Sequence, residues 1–272
     1  MKTVDIDKLF EDYFRKFIAE NTGKFSEDEL EDKVSELYSA FGDEPNKELG
    51  GVSPRKYFGN MDGETLVLNL KEYVESNIPV SDYLCEALDN KDGVDELLSK
   101  YATGDFNEEF STYCINILNT RGYTAVHKAY VPIIAKCEKG ENILELLTEI
   151  LTDNADGVKE EILSCYADAN EKAKSYLIEV LAATTPVDDR VFDILKGAFL
   201  SHDKETSLYV SYLTKYGDDR ALPLFEDAVR KENISYADFK ELKLGIEALG
   251  GECTVHRDFS KDKSFKAIKG IH

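Results

Sequence analysis

Two tripeptides place charged groups close enough together for chemistry: Asp188-Asp189-Arg190 and Asp218-Asp219-Arg220. Paired carboxylates can exchange protons with a substrate or hold a hard cation. The surrounding pattern favours a plainer role. The first aspartate of each pair stands where a helix N-cap is expected, so its carboxylate accepts a backbone N–H. The second falls in the first helical turn, where the helix dipole favours negative charge. Arg190 and Arg220 lie 30 residues apart and can each pair with a carboxylate of a neighbouring element.

Other chemical groups are sparse. The four histidines are His127, His202, His256 and His272, and no two share a helical i, i+4 spacing or an H-E-x-x-H frame. Cys253-Thr254-Val255-His256 is a C-x-x-H fragment without a second pair, so no zinc site is expected. Phosphate-binding glycine loops and the G-x-S-x-G elbow of serine hydrolases are absent. Cys85, Cys114, Cys137, Cys165 and Cys253 are widely spaced and odd in number. Most lie inside apolar helical patterns, where a free cysteine serves as a small hydrophobe. We expect no catalytic residue, metal or cofactor.

The elements that must position any site are helices. Ile6, Leu9, Phe10, Tyr13, Phe14, Phe17 and Ile18 follow i, i+3, i+4, i+7 spacing and predict an amphipathic helix. Ser26 with Glu29 is a capping-box signal for the next, which carries Leu30, Val34, Leu37, Tyr38 and Phe41. Leu49-Gly50-Gly51-Val52 reads as a turn, with Ser53 as cap and Pro54 as first residue of a short helix bearing Tyr57 and Phe58. Further helices follow over about 64–76, from Ser81, around Val94–Tyr101, and from Phe106 to Leu118. No two-residue strand period precedes residue 252, and no alternation of strands with helices suggests an α/β enzyme.

Beyond residue 121 the chain repeats. Residues 187–199 align with 217–229 at an offset of 30, with Asp-Asp-Arg identical in both. Weaker copies surround Pro132 and Glu161. Each copy is followed by a second helix: Leu146–Leu151, Tyr176–Leu181, Leu208–Leu213 and Leu244–Leu249. A helical hairpin of about 30 residues cannot bury its apolar face alone, so stacked neighbours must bury it jointly.

Gly217-Asp218-Asp219-Arg220-Ala221-Leu222-Pro223-Leu224 resembles the short HEAT-like repeat of phycobilisome-lyase-type proteins, which tends to read Gly-Asp-x-Arg-Ala-x-Pro-x-Leu. The copy starting at Val187 resembles it less, with Val187 for the glycine and Asp193 for the proline. The similarity covers under half of the chain. It implies an α-solenoid that binds another macromolecule; chromophore-lyase activity does not follow from it.

The reading is therefore an all-α protein: a helical N-terminal region over 1–121, either degenerate repeats or a separate domain, four HEAT-like repeats over 122–251, and a basic tail over 252–272. In the repeat register Glu149, Glu179, Ser211 and Glu247 form one row on the second helices, an acidic strip suited to a basic partner. The tail holds five basic against three acidic residues and is expected to cover the last repeat.

Composition narrows the function. Over 272 residues the formal net charge is −21, which repels a phosphate backbone and an anionic membrane surface. No stretch approaches the ~20 apolar residues of a membrane helix, and the N-terminus lacks the apolar core of a signal peptide, so a cytoplasmic location is expected. The leading reading is a non-enzymatic scaffold that binds a basic protein or peptide. The alternative is an enzyme or small-ligand binder with its site between the N-terminal helices and the solenoid. A base-repair solenoid on DNA would need a basic concave face, and the chain lacks tryptophan as a stacking platform.

Overall fold

The computed structural model describes residues 3–202, 204–262 and 265–266. Among them it is all-helical, with fifteen α-helices and no strand; only an isolated bridge joins Asn46 and Val52. None of the helices is long and apolar enough to cross a membrane. The chain divides between Val126 and His127 into two compact units.

The first unit holds α1 (Ile6–Glu20), α2 (Glu27–Phe41), α3 (Pro54–Gly59), α4 (Gly63–Glu75), α5 (Asp82–Asp89), α6 (Asp95–Thr103) and α7 (Glu108–Thr120). Asp5, Ser26, Asp62, Ser81 and Asn107 cap five of these through their side chains, and Ser26 and Glu29 complete the capping box. Each such bond satisfies a backbone donor that the helix start leaves open. Leu66, Leu70, Tyr73, Leu84, Leu88, Leu98, Phe110 and Cys114 form the buried core among α4 to α7. α1 and α2 make a hairpin arm that packs on itself, with its base tied down by Tyr38 stacked on Tyr83 at 4.8 Å and by the Tyr73 hydroxyl donating to the Val4 carbonyl at 2.5 Å.

The turn before α3 departs from expectation at one residue. Ser53 occupies the N-cap position, but its hydroxyl caps nothing. Pro54 has no N–H to offer, and the next donor, the Arg55 N–H, bonds to the Gly42 carbonyl at 3.1 Å instead. The Ser53 hydroxyl is left buried, with no hydrogen-bond partner among the described residues. Gly50 and Gly51 both take positive φ, at 73° and 84°, a conformation cheap only for glycine. They let Asn46 pair with Val52 and Gly51 across the turn.

The second unit holds α8 (His127–Lys136), α9 (Glu141–Asp153), α10 (Lys159–Cys165), α11 (Glu171–Leu181), α12 (Asp189–Ser201), α13 (Thr206–Tyr216), α14 (Leu222–Val229) and α15 (Tyr236–Ala248). They run as four successive hairpins. α9 packs on α11, and α13 on α15. The buried side of the second helices comes from Leu147, Leu151, Leu177, Leu181, Val210, Leu213, Leu242 and Ile246. After α15 the chain turns back on the last hairpin. Phe259 packs on Tyr236 and Phe239, Phe265 meets Tyr236 edge-on, and Arg257 donates to the Glu232 carbonyl. Lys263, Lys269 and His272 of the basic tail lie outside the described residues.

All five cysteines are free. Burial pushes the thiol of Cys85 up to about 11 and that of Cys114 up to about 12, so neither supplies thiolate at neutral pH.

Candidate functional site

The Asp-Asp-Arg tripeptides join one hairpin to the next. Asp188 caps α12 by accepting from the Arg190 N–H, and Asp218 accepts likewise from the Arg220 N–H. The Arg190 guanidinium then reaches back one hairpin, donating to both oxygens of Glu160 at 2.7 and 3.0 Å. Arg220 repeats the move to Asp189 at 2.8 Å and lies over the Phe192 ring at 4.2 Å. Lys128 meets Glu161 at 2.6 Å, and Lys159 meets Asp188 at 3.6 Å. Asp188, Asp189 and Asp218 each pair with a cation of this ladder.

The ladder carries a pH signature. Hydrogen bonds from Arg190 hold Asp188 well below the usual carboxylate range, and the same guanidinium lowers Glu160. A carboxyl with a lowered folded pKa contributes stability above its unfolded value, and that contribution is lost as pH falls through the folded value. Thermal melts should therefore drop as pH falls below about 4, with a shallower drop for Asp188→Asn. Acid also relieves the overall charge of −21, so the difference between the two chains is the quantity to read. Parallel curves would remove Asp188 from the effect.

The second helices form a different surface. Glu149, Ser211 and Glu247 are exposed and Glu179 is half-buried. Glu179 accepts from the Tyr212 hydroxyl at 3.3 Å, and Glu247 pairs with Lys243 at 3.8 Å. Consecutive second helices are bridged by side chains: Glu141 to Lys172 and Tyr176, Glu179 to Tyr212, and Ser207 to Asp238. Burial, with the nearby Glu179 carboxylate adding to it, raises the pKa of Tyr212.

Three positions before each member of the acidic row, the sequence carries Leu146, Tyr176, Leu208 and Leu244. Positions three apart on a helix are neighbours. Leu146 and Tyr176 are half-buried, while Leu208 and Leu244 are 42% and 48% exposed. Periodicity alone assigns these residues to the core, because they extend the apolar spacing of each helix; the exposure of Leu208 and Leu244 sets those two apart from it.

The clefts are poorer candidates. One of about 370 Å³ lies among Phe199, Thr206, Ala228, Asn233, Asp238 and Leu242. Of its two carboxylates, Glu232 and Asp238, the second is already engaged, with Ser207 donating to one oxygen and Ser235 to the other, both at 2.7 Å. A second, of about 430 Å³, is bordered by Leu9, Tyr13, Phe41 and the segment 44–48. His127 is buried in α8, where burial lowers its pKa and keeps the ring neutral. Among the described residues no three His, Cys, Asp or Glu side chains are grouped to hold a metal ion.

Compared with known proteins, the chain matches no family model, no curated protein and no solved structure.

Proposed function

We propose that the second unit is a non-enzymatic scaffold, a stack of four HEAT-like hairpins that binds a basic, extended segment of another protein across its second helices. The observation that carries this reading is the row Leu146, Tyr176, Leu208 and Leu244 with Glu149, Glu179 and Glu247 beside it. An apolar strip with an acidic rim complements a segment that alternates apolar and basic side chains. The stack itself is supported by the 30-residue register and by polar links that recur at the same interval, from Arg190 to Glu160 and from Arg220 to Asp189.

Spacing narrows the segment. Packed helices lie about 9 Å apart, so equivalent side chains recur at about that distance where second helices pack, between α9 and α11 and between α13 and α15. A polyproline II chain rises about 3.1 Å per residue, placing every third side chain about 9 Å from the last. The probe is therefore a labelled twelve-residue peptide with the repeat Leu-Lys-Pro, titrated against the full chain by fluorescence anisotropy. Leu208→Gln with Leu244→Gln should weaken binding about tenfold, the scale of losing two apolar contacts. Replacing Glu149, Glu179 and Glu247 by glutamine should weaken it less and flatten its salt dependence. Unchanged affinity in both variants would end this reading.

A further inference from the structure

The α1–α2 arm is an amphipathic hairpin whose apolar face is fully covered only at its base; Leu9, Phe10, Tyr13, Phe14 and Phe17 are half-buried and Ile18 is exposed. α1 carries Ile6, Leu9, Phe10, Tyr13, Phe14, Phe17 and Ile18, yet only Ile6 is buried. In α2 only Leu37 and Phe41 are. All three lie at the base of the arm. The helix α4, of thirteen residues, buries six side chains by contrast. Toward the tip, Phe17 stacks on Phe25, Lys33 lies over Phe25 at 5.2 Å, and Ile18 and Val34 remain 37% and 38% exposed.

The cause is visible in the sequence of α1. At 100° per residue its apolar positions, from Leu9 through Phe17 to Ile18, spread over roughly half of the helix circumference. One antiparallel partner covers a narrower stripe. The remainder of the arc is only partly covered.

We infer that the distal half of this arm is the docking site for an amphipathic helix with basic flanks, supplied by a partner protein. Charge selects the occupant. Between Ile6 and Phe41 there are ten acidic residues against five basic, and α2 alone carries Glu27, Asp28, Glu29, Glu31, Asp32 and Glu36 against Lys33. On the helical wheel Glu27 and Glu31 border Leu30 and Val34, where they would meet cations flanking an apolar stripe on the incoming helix. A second copy of the chain would bring an equally acidic arm, and like charges across an interface oppose association. The mode is a helix laid along an apolar groove, read by anchors at i, i+3, i+4 and i+7. It differs from the extended segment proposed for the second unit in both place and conformation.

The test uses the full chain and an eighteen-residue leucine–lysine peptide patterned as an amphipathic helix, with a scrambled peptide of the same composition. Anisotropy titrations should give at least tenfold tighter binding for the patterned peptide, and Ile18→Gln with Val34→Gln should remove at least tenfold of that affinity. Glu27→Gln with Glu31→Gln should weaken binding severalfold and reduce its salt dependence. The Leu208→Gln/Leu244→Gln chain should bind this peptide as the parent does, which separates failure here from failure of the second-unit reading. Equal binding of scrambled and patterned peptides, or no loss in the Ile18/Val34 variant, would overturn the inference. So would sedimentation showing a dimer of the parent chain that the Ile18/Val34 variant abolishes, because the occupant would then be a second copy.

Discussion

Phe225→Ala lowers the unfolding free energy of the second unit by about 3–5 kcal/mol, the range for truncating a large buried aromatic. Phe225 is fully buried and meets Phe199 edge-on, with ring centroids 5.6 Å apart. Its ring also sets how closely α15 can approach. A Cβ built on Gly245 would lie 2.9 Å from the ring, 2.9 Å from the Thr214 hydroxyl and 3.0 Å from Val210. The backbone of α15 therefore rests directly on side chains of α13 and α14, with no intervening side chain to relax into a void. A cavity that cannot collapse stays at the costly end of the range. Urea unfolding followed by far-UV circular dichroism measures the change, fitted with a separate transition for each unit. Leu244→Ala, on the exposed side of the same helix, is the reference and should shift stability by less than about 0.5 kcal/mol. A loss below about 1 kcal/mol for Phe225→Ala would mean that the last hairpin contributes little to the unit's cooperativity.

Arg121→Ala should have the second-largest effect, about 2 kcal/mol, and confine it to the first unit. The Arg121 guanidinium donates to Asp95 through Nε at 2.6 Å and through Nη2 at 3.2 Å. Nη1 donates to the Leu88 carbonyl at 3.0 Å and also to that of Asp89. One planar side chain thus ties the end of α7 to the last turn of α5 and the first turn of α6. Its removal leaves a shielded carboxylate and carbonyl groups without their donor, which costs more than the bonds contribute when intact. Arg121→Lys should recover less than half of the loss, because an ammonium cannot reproduce the two-pronged contact with Asp95. Melting of Arg121→Ala, Asp95→Ala and the double variant gives the coupling energy directly. Additive losses would show that the two residues act separately.

Much of this fold is legible in local chemistry. The capping box at Ser26 and Glu29 and the caps at Asp188 and Asp218 are readable because a cap needs only residues within one turn of each other. The succession of helices is readable because each carries its own apolar spacing between recognisable start and stop residues. It also places Arg190 one hairpin from Glu160. What stayed hidden depends on non-local competition. Ser53 has the sequence of a cap, but the carbonyl of Gly42 takes the available donor. Arg121 looks like any helix-terminal arginine until α5 and α6 converge on it. Leu208 and Leu244 share the period of core leucines, and Ile18 shares that of Phe14. Whether such a residue is covered is decided by the neighbour that does or does not arrive, which a helical period does not encode.

The polar links of the second unit join residues a nearly constant distance apart in the chain: Lys128 to Glu161, Asp156 to Thr185, Arg190 to Glu160, Arg220 to Asp189 and Ser207 to Asp238. Each spans about one hairpin. Under the repeat reading proposed above, links to the next hairpin close short loops as the chain folds, so structure can start at any hairpin and spread in either direction. The same wiring sets how such a protein can change length over generations. Duplicating or deleting one whole hairpin carries its links along with it and leaves every other link intact, whereas an insertion of a few residues inside a helix shifts the register of all that follows in that hairpin. Growth in steps of about thirty residues is the change that the proposed stack would absorb with least disruption.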